Sequence, residues 1–415
     1  MIHENYKLTT LDNGIRIVTE QLPHVNSFSL GFWFNTGSRN ENSKNNGISH
    51  FTEHMLFKGT KRRTSKKLSD EVESLGGYLN AFTSKEHTCY YGRGLGQHLP
   101  KVFDVLSDMV QNSVFKESEI KKEAGVIVDE LYDIEDTPEE LIFDKFESSL
   151  YKGNSLQYPI IGTEKNILSF SHDDLIIYTE RFYTTNNMVI SASGDVNHEE
   201  IVRLVQSKEY NSRKTRTVKK KKVNLKKADD LIFQKEIQQA HVIIGRSTIG
   251  YNDDNRIKVN ILSHILGEGS SSRLFNTLRE KNGITYQINS FLNSFYDISS
   301  FGVYFSTGEK SLQKATDLVY KEFDKIIQNG INKREFNRAK EYLKGQLLMH
   351  LESTSNRMIR MAQSLFYYNK IRFIQQSIDN IDAVTLDEII DLSKTLLNLE
   401  KFSKVIISSK TNPFS

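Results

Sequence analysis

Three residues of one short stretch have the types and spacing to do chemistry: His50, Glu53 and His54, within GISHFTEHMLFKG at 47–59. No proline interrupts it, and Ile48, Phe51, Met55 and Leu56 recur mainly at threes and fours. That spacing predicts a short helix with one buried face, which Gly59 could close at its C-terminus. His50 and His54 then lie one turn apart on the same face, with Glu53 beside them. Two neutral imidazoles suit a borderline-soft ion such as zinc, and a neighbouring carboxylate suits the base that takes a proton from an activated water. The pattern H-x-x-E-H reverses the H-E-x-x-H of many zinc hydrolases. A catalytic site of this kind needs a third protein ligand, which must come from another element.

The stretch EAGVIVDELY at 123–132 offers one. Val126, Ile127 and Leu131 make it a core helix, and Glu123 and Glu130, two turns apart, share a face. A carboxylate from either position could complete a His, His, Glu set. H-x-x-E-H followed by E-x-x-x-I-x-x-E resembles the inverzincin peptidases of the pitrilysin and mitochondrial-processing-peptidase family. The resemblance implies that His50, His54 and Glu130 bind zinc (Zn2+), that Glu53 is the general base, and that Glu123 is an accessory acidic residue of the catalytic site.

Two further stretches carry the resemblance. A helix through Leu68, Val72 and Leu75, stopped by Gly76 and Gly77, leads into the strand YLNAFTS at 78–84. By residue type alone this is an ordinary sheet strand in which Asn80 closes a turn. By resemblance it is the sheet edge to which an extended peptide adds as another strand, and Asn80, Ala81 and Phe82 hold the substrate. In the second half, SSSRLFNTLREKNGITY at 270–286 places Arg279 and Tyr286 seven positions apart. The residues alone read as an Arg in a helical ion pair and a half-buried strand Tyr. The resemblance implies instead that the pair reaches the metal site of the first half and steadies the substrate carbonyl as it becomes tetrahedral. A cationic fork and a phenol aimed at a developing oxyanion favour the transition state over the ground state.

The elements that position these groups follow from pattern. Asn13-Gly14 between two β-prone runs predicts a type I′ hairpin at the start. Phe28, Leu30, Phe32 and Phe34 alternate with Ser, Gly and Trp, predicting a strand with one strongly buried face just before the histidine helix. Thr137-Pro138-Glu139-Glu140 predicts a capping box with Pro at N1. Ser171 followed by Asp173 and Asp174 predicts another helix start, so these acids are read as caps ahead of any binding role. Sliding the chain by about 206 positions lays Leu68, Val72, Gly77 and Tyr78 over Leu274, Leu278, Gly283 and Ile284, a degenerate internal repeat. His50, Glu53 and His54 then fall on Arg256, Val259 and Asn260, so the second copy loses the metal ligands.

At 415 residues the chain suits two domains of about 200 each. The expected division is 1–210 for the zinc-binding half, 211–230 for a basic linker containing RKTR and KKKK, and 231–415 for the degenerate half. A hydrophobic content of 38% with 26% charged residues is that of a soluble globular protein, and a net charge of +3 points to neither nucleic acid nor membrane as partner. No apolar run is long enough for membrane insertion. Cys89, the sole cysteine, is read as a packed thiol on a strand. The N-terminal residues lack the apolar core of a secretory signal and the character of a transit peptide, so the expected location is the cytoplasm, with an organelle matrix as the alternative.

The resulting expectation is an α+β fold of two related halves, each a mainly antiparallel sheet packed with helices, facing one another across a chamber. The expected activity is zinc-dependent endoproteolysis of unfolded or extended peptides, by a homodimer or a chain paired with a related subunit. The alternative is a non-catalytic subunit or scaffold of the same fold, against which the joint presence of His50, Glu53, His54, Glu130, Arg279 and Tyr286 argues.

Overall fold

A computed structural model of the chain describes residues 4–212, 223 and 227–413. Most of the expected linker, including its basic runs at 213–216 and 219–222, lies outside the described residues. The chain forms two compact units, Met1–Tyr132 with Tyr158–Lys220 and Leu348–Ile374, and Asp133–Gln157 with Lys221–Leu347 and Gln375–Ser415.

The first unit is built on six strands: β1 (Tyr6–Thr10), β2 (Arg16–Gln21), β3 (Ser27–Phe34), β4 (Tyr78–Thr83), β5 (Thr88–Leu95) and β6 (Met188–Gly194). Their spatial order is β1-β2-β6-β3-β5-β4. Only β2 and β6 run parallel. The second unit has five strands: β7 (Leu231–Gln234), β8 (Ala240–Ile249), β9 (Thr285–Ser294), β10 (Ile298–Thr307) and β11 (Ser403–Ser408). Their order is β7-β11-β8-β10-β9, and only β7 and β11 run parallel. Without β1 the first sheet has this same order and the same alternation of sense. The repeat detected by sliding the sequence is therefore a repeat of topology. In both copies a helix follows the equivalent strand, Ile48–Leu56 after β3 and Arg256–Gly267 after β8.

The units differ from the expected halves by an exchange of helices. Helix Pro138–Leu150 belongs to the second unit, where Ile142 and Phe146 pack with Ile243, Val405 and Ile407. Helix Thr354–Tyr368 belongs to the first, where Met358, Met361, Ala362 and Leu365 cover Val18, Trp33, Cys89 and Val189. Glycines admit both helices. A Cβ on Gly31 would come within 2.8 Å of the Met358 sulfur, and one on Gly245 within 2.5 Å of the Phe146 ring.

This covering helix corrects the expectation for β3, which is buried on both faces. Phe28, Leu30 and Phe32 are buried on one side, with Phe32 against Phe103 at 5.4 Å between ring centroids. On the other, Ser29 Oγ bonds the hydroxyls of Thr354 and Ser355 at 2.8 and 2.9 Å. Two local expectations also change. The β1–β2 connection keeps Asn13 out of the left-handed region and places only Gly14 there, at φ 95°, so the turn is not type I′. Thr137 precedes Pro138 at the helix start as expected, but its side chain makes no capping hydrogen bond, so the expected capping box is absent. The helix start expected at Ser171 is present, and Ser171 and Asp174 form a capping box there.

Candidate metal centre

Helix Ile48–Leu56 buries Ile48, Phe51, Met55 and Leu56 and turns the other face to the site. Its start is held by a residue that sequence reasoning missed. Glu41, fully enclosed, accepts the Gly47 and Ser49 amides, each at 2.8 Å, and the Ser49 hydroxyl at 2.5 Å. A carboxylate at the positive end of a helix fixes that end, here the end carrying His50. Gly47 sits in the left-handed region at φ 100°, with Ile161 O only 2.7 Å from where a Cβ would stand.

His50 and His54 stack their turns so that their ring centroids are 4.6 Å apart. Glu130 comes from helix Glu117–Asp136, whose Ile120, Ala124, Ile127 and Val128 are buried. Its two oxygens face the two imidazoles: Oε1 is 3.7 Å from His50 Nε2, and Oε2 is 3.5 Å from His54 Nε2. One ligand atom from each of the three residues lies within 4.8 Å of the others. Donors about 2.1 Å from a tetrahedral centre stand about 3.4 Å apart, so the set fits a zinc-sized ion with modest contraction. Burial, and then the neighbouring His54, pull the His50 imidazole down to about 3, which keeps its nitrogens neutral and able to bind metal. His50 Nδ1 has no hydrogen-bond partner among the described residues.

His54 is oriented from behind. Its Nδ1 is 2.9 Å from Glu123 Oε1, and Lys58 Nζ lies 2.6 Å from Glu123 Oε2. Burial opposes the charge on Glu123, but the His54 and Lys58 contacts outweigh it and hold its carboxyl below the ordinary value. An ionised acceptor at Nδ1 fixes the proton there and leaves the Nε2 lone pair towards Glu130. Glu123 is thus a partner of His54 and not a member of the three-residue cluster, a distinction its shared helical face with Glu130 left open. Lys58 was visible in the sequence only as part of a basic turn.

Glu53 lies between the histidines in sequence and points to the sheet, where Thr83 Oγ1 donates to its Oε2 at 2.5 Å. Burial pushes the Glu53 carboxyl up from its usual range, against the opposing Thr83 hydrogen bond. Thr83 ends β4, the outermost strand of its sheet, paired only to β5. Asn80 makes no turn there; its Oδ1 accepts the Ala81 amide at 2.8 Å. Phe82 packs edge-on against Trp33 at 5.3 Å.

In the second unit Arg279 lies on a π-helical segment, Phe275–Lys281, and Tyr286 on β9. The guanidinium sits between two rings, 4.9 Å from the centroid of Phe275 and 4.7 Å from that of Tyr286. It also donates to the Tyr286 carbonyl at 3.1 Å. Tyr286 is 71% exposed, in contrast to the half-buried strand Tyr that residue type suggests. Both line a cavity of about 690 Å³ with Phe143, Phe275, Gln287 and Tyr304.

Comparison with known proteins places the chain in a family. The family described as Insulinase (Peptidase family M16) matches residues 16–164, and the Peptidase M16 inactive domain matches 169–343. A Bacillus subtilis (strain 168) protein named "Uncharacterized zinc protease YmxG" is 35% identical over 98% of this chain and 99% of its own. The chain belongs to the peptidase M16 family. A Rickettsia felis relative, also named an uncharacterized zinc protease, is 33% identical over 97% of this chain and 98% of its own. Among solved structures, a protease from Helicobacter pylori shares the fold with a TM-score of 0.90 and 22% identity, over 98% of this chain and 99% of that one. An M16 inactive-domain protein from Pseudomonas fluorescens does so with a TM-score of 0.90 and 18% identity, over 98% of each. The second family match covers the copy in which Arg256, Val259 and Asn260 replace the metal-binding pattern. Among the described residues no helix is long and apolar enough to cross a membrane.

Proposed function

We propose that this chain is a zinc-dependent endopeptidase acting on extended peptides. One observation carries the reading: His50, His54 and Glu130 converge with a half-buried, separately held carboxylate, Glu53, next in sequence to His54. Two imidazole nitrogens and a carboxylate oxygen are a donor set suited to catalytic zinc, which keeps one position for water. Zinc bound there would lower the pKa of that water towards neutrality and polarise the scissile carbonyl. Glu53 accepts the proton of the attacking water and returns it to the departing amine. Glu123 keeps His54 in the tautomer that presents Nε2.

The substrate adds along β4, with Asn80, Ala81 and Phe82 among the residues that hold it. Arg279 and Tyr286 are assigned to the tetrahedral oxygen on the strength of the R-E-K-x-G-I-x-Y pattern, and the packing of Arg279 between two rings preorganises its charge. The test is a broad library of unstructured peptides offered to the zinc-loaded chain, with products read by mass spectrometry. Cleavage at internal bonds is expected. A zinc-loaded chain that leaves every peptide intact overturns the reading.

A further inference from the structure

The register of the β4–β5 hairpin decides which groups of β4 are available to a peptide. Ser84 N donates to the His87 carbonyl at 2.8 Å, and the pairing then runs without slip from Thr83 opposite Thr88 to Tyr78 opposite Arg93. Antiparallel alternation sends the main-chain groups of Phe82, Asn80 and Tyr78 to β5, and those of Thr83, Ala81 and Leu79 to the free edge. Side chains alternate with the same period, so Leu79, Ala81 and Thr83 share one face. That face looks at the metal helix, because Thr83 Oγ1 donates to Glu53 Oε2. One residue therefore offers its main chain to the edge and its side chain to the base.

We propose that Thr83 is a positioning residue that couples addition of a peptide strand at β4 to the orientation of Glu53. The proposal rests on the peptidase reading above. A carboxylate without a partner rotates about its last bond; with Oε2 held by the Thr83 hydroxyl, Oε1 is the oxygen left to take a proton. A peptide hydrogen-bonded to the Thr83 main chain holds the end of β4 in place, and with it the hydroxyl and the carboxylate. The adjacent edge donor already engages a carbonyl oxygen of this kind, since the Ala81 amide is taken by the side-chain carbonyl of Asn80 at 2.8 Å. A substrate carbonyl would replace it.

Two substitutions and two readouts test the link. Thr83→Val keeps the shape and the strand preference but removes the donor, whereas Thr83→Ser keeps the donor. With Thr83→Val, kcat is expected to fall about 10- to 100-fold, the cost of a misaligned reacting group. KM, and the Kd of a peptide with a reduced, uncleavable scissile bond measured by calorimetry, should stay within about threefold of wild type. Zinc content by atomic spectroscopy should be unchanged, and Thr83→Ser should recover kcat to within about threefold. Wild-type kcat in Thr83→Val, a loss confined to KM, or an equal loss in Thr83→Ser each overturns the coupling while leaving the peptidase reading intact. A wild-type chain that cleaves nothing overturns both.

Discussion

At the scale of single residues, the proposed mechanism separates holding a metal from moving a proton. Glu53→Gln should leave zinc bound, because His50, His54 and Glu130 are untouched, and should abolish turnover, because the amide has lost the basic oxygen. Zinc stoichiometry and initial rates on one peptide check this together; full activity in the variant removes Glu53 from the mechanism. Glu123→Gln should do the reverse. It keeps the shape beside His54 but weakens the bond at Nδ1 and leaves Lys58 without its carboxylate, so zinc affinity should fall about 10- to 100-fold, read by chelator competition. The meeting of His50 and His54 was legible in the sequence because helical spacing is local: four positions bring them together whatever else the chain does. Glu41, Lys58 and Thr83 were not legible as site residues, since their parts depend on a loop closing on a helix start and on which strand edge lies beside it.

At the scale of elements, the metal helix is anchored to its surroundings by the turn that follows it. Arg63 bonds Asp108, Asp104 and Glu71 at 2.7, 2.6 and 3.0 Å, and Asp108 also receives Thr60 at 2.7 Å and Asn112 at 2.9 Å. The Asp108 side chain is 1% exposed. Asp108→Ala should therefore cost about 3 kcal/mol, the lower end for breaking a buried pair, because Arg63 keeps two other carboxylates. Chemical denaturation checks the value. Burial works against the charge of Asp108, but its hydrogen bonds outweigh it and hold the pKa below the ordinary carboxylate range. A depressed folded-state pKa stabilises above the unfolded value near about pH 4 and is lost as pH falls through the folded one, so the gap between wild type and Asp108→Ala should close in acid. Pattern reading failed at β3 for a reason of the same scale. Ser29, Gly31 and Trp33 look like a solvent face until a helix more than three hundred residues away, carrying Thr354, Ser355 and Met358, supplies hydroxyls for the first and a sulfur that fills the room over the second.

At the scale of the whole molecule, composition and the internal repeat made a two-part α+β fold legible, whereas the boundaries were not. Amphipathic helices such as Pro138–Leu150 and Thr354–Tyr368 declare that they have an apolar face, but not which sheet will receive it. The exchange makes a sharp prediction. A chain ending at residue 347 retains every metal ligand but lacks the helix that covers Val18, Trp33, Cys89 and Val189. Burial of Met358, Met361 and Leu365 contributes about 1.5–3 kcal/mol each, comparable in sum to the whole stability of a domain. The truncated chain should lose zinc binding along with cooperative unfolding; retained stoichiometric zinc would make the first half autonomous.

The same exchange sets a timetable for synthesis. The first sheet has all its strands once β6 has emerged at Gly194, but its covering helix is complete only at Tyr368. At about 5–20 residues per second the ribosome leaves that face bare for roughly 10 to 35 s, long compared with the collapse of the sheet itself. During that interval a patch of Trp33, Val189 and the Met-accepting Gly31 faces solvent, open to holding chaperones and to aggregation with other nascent chains.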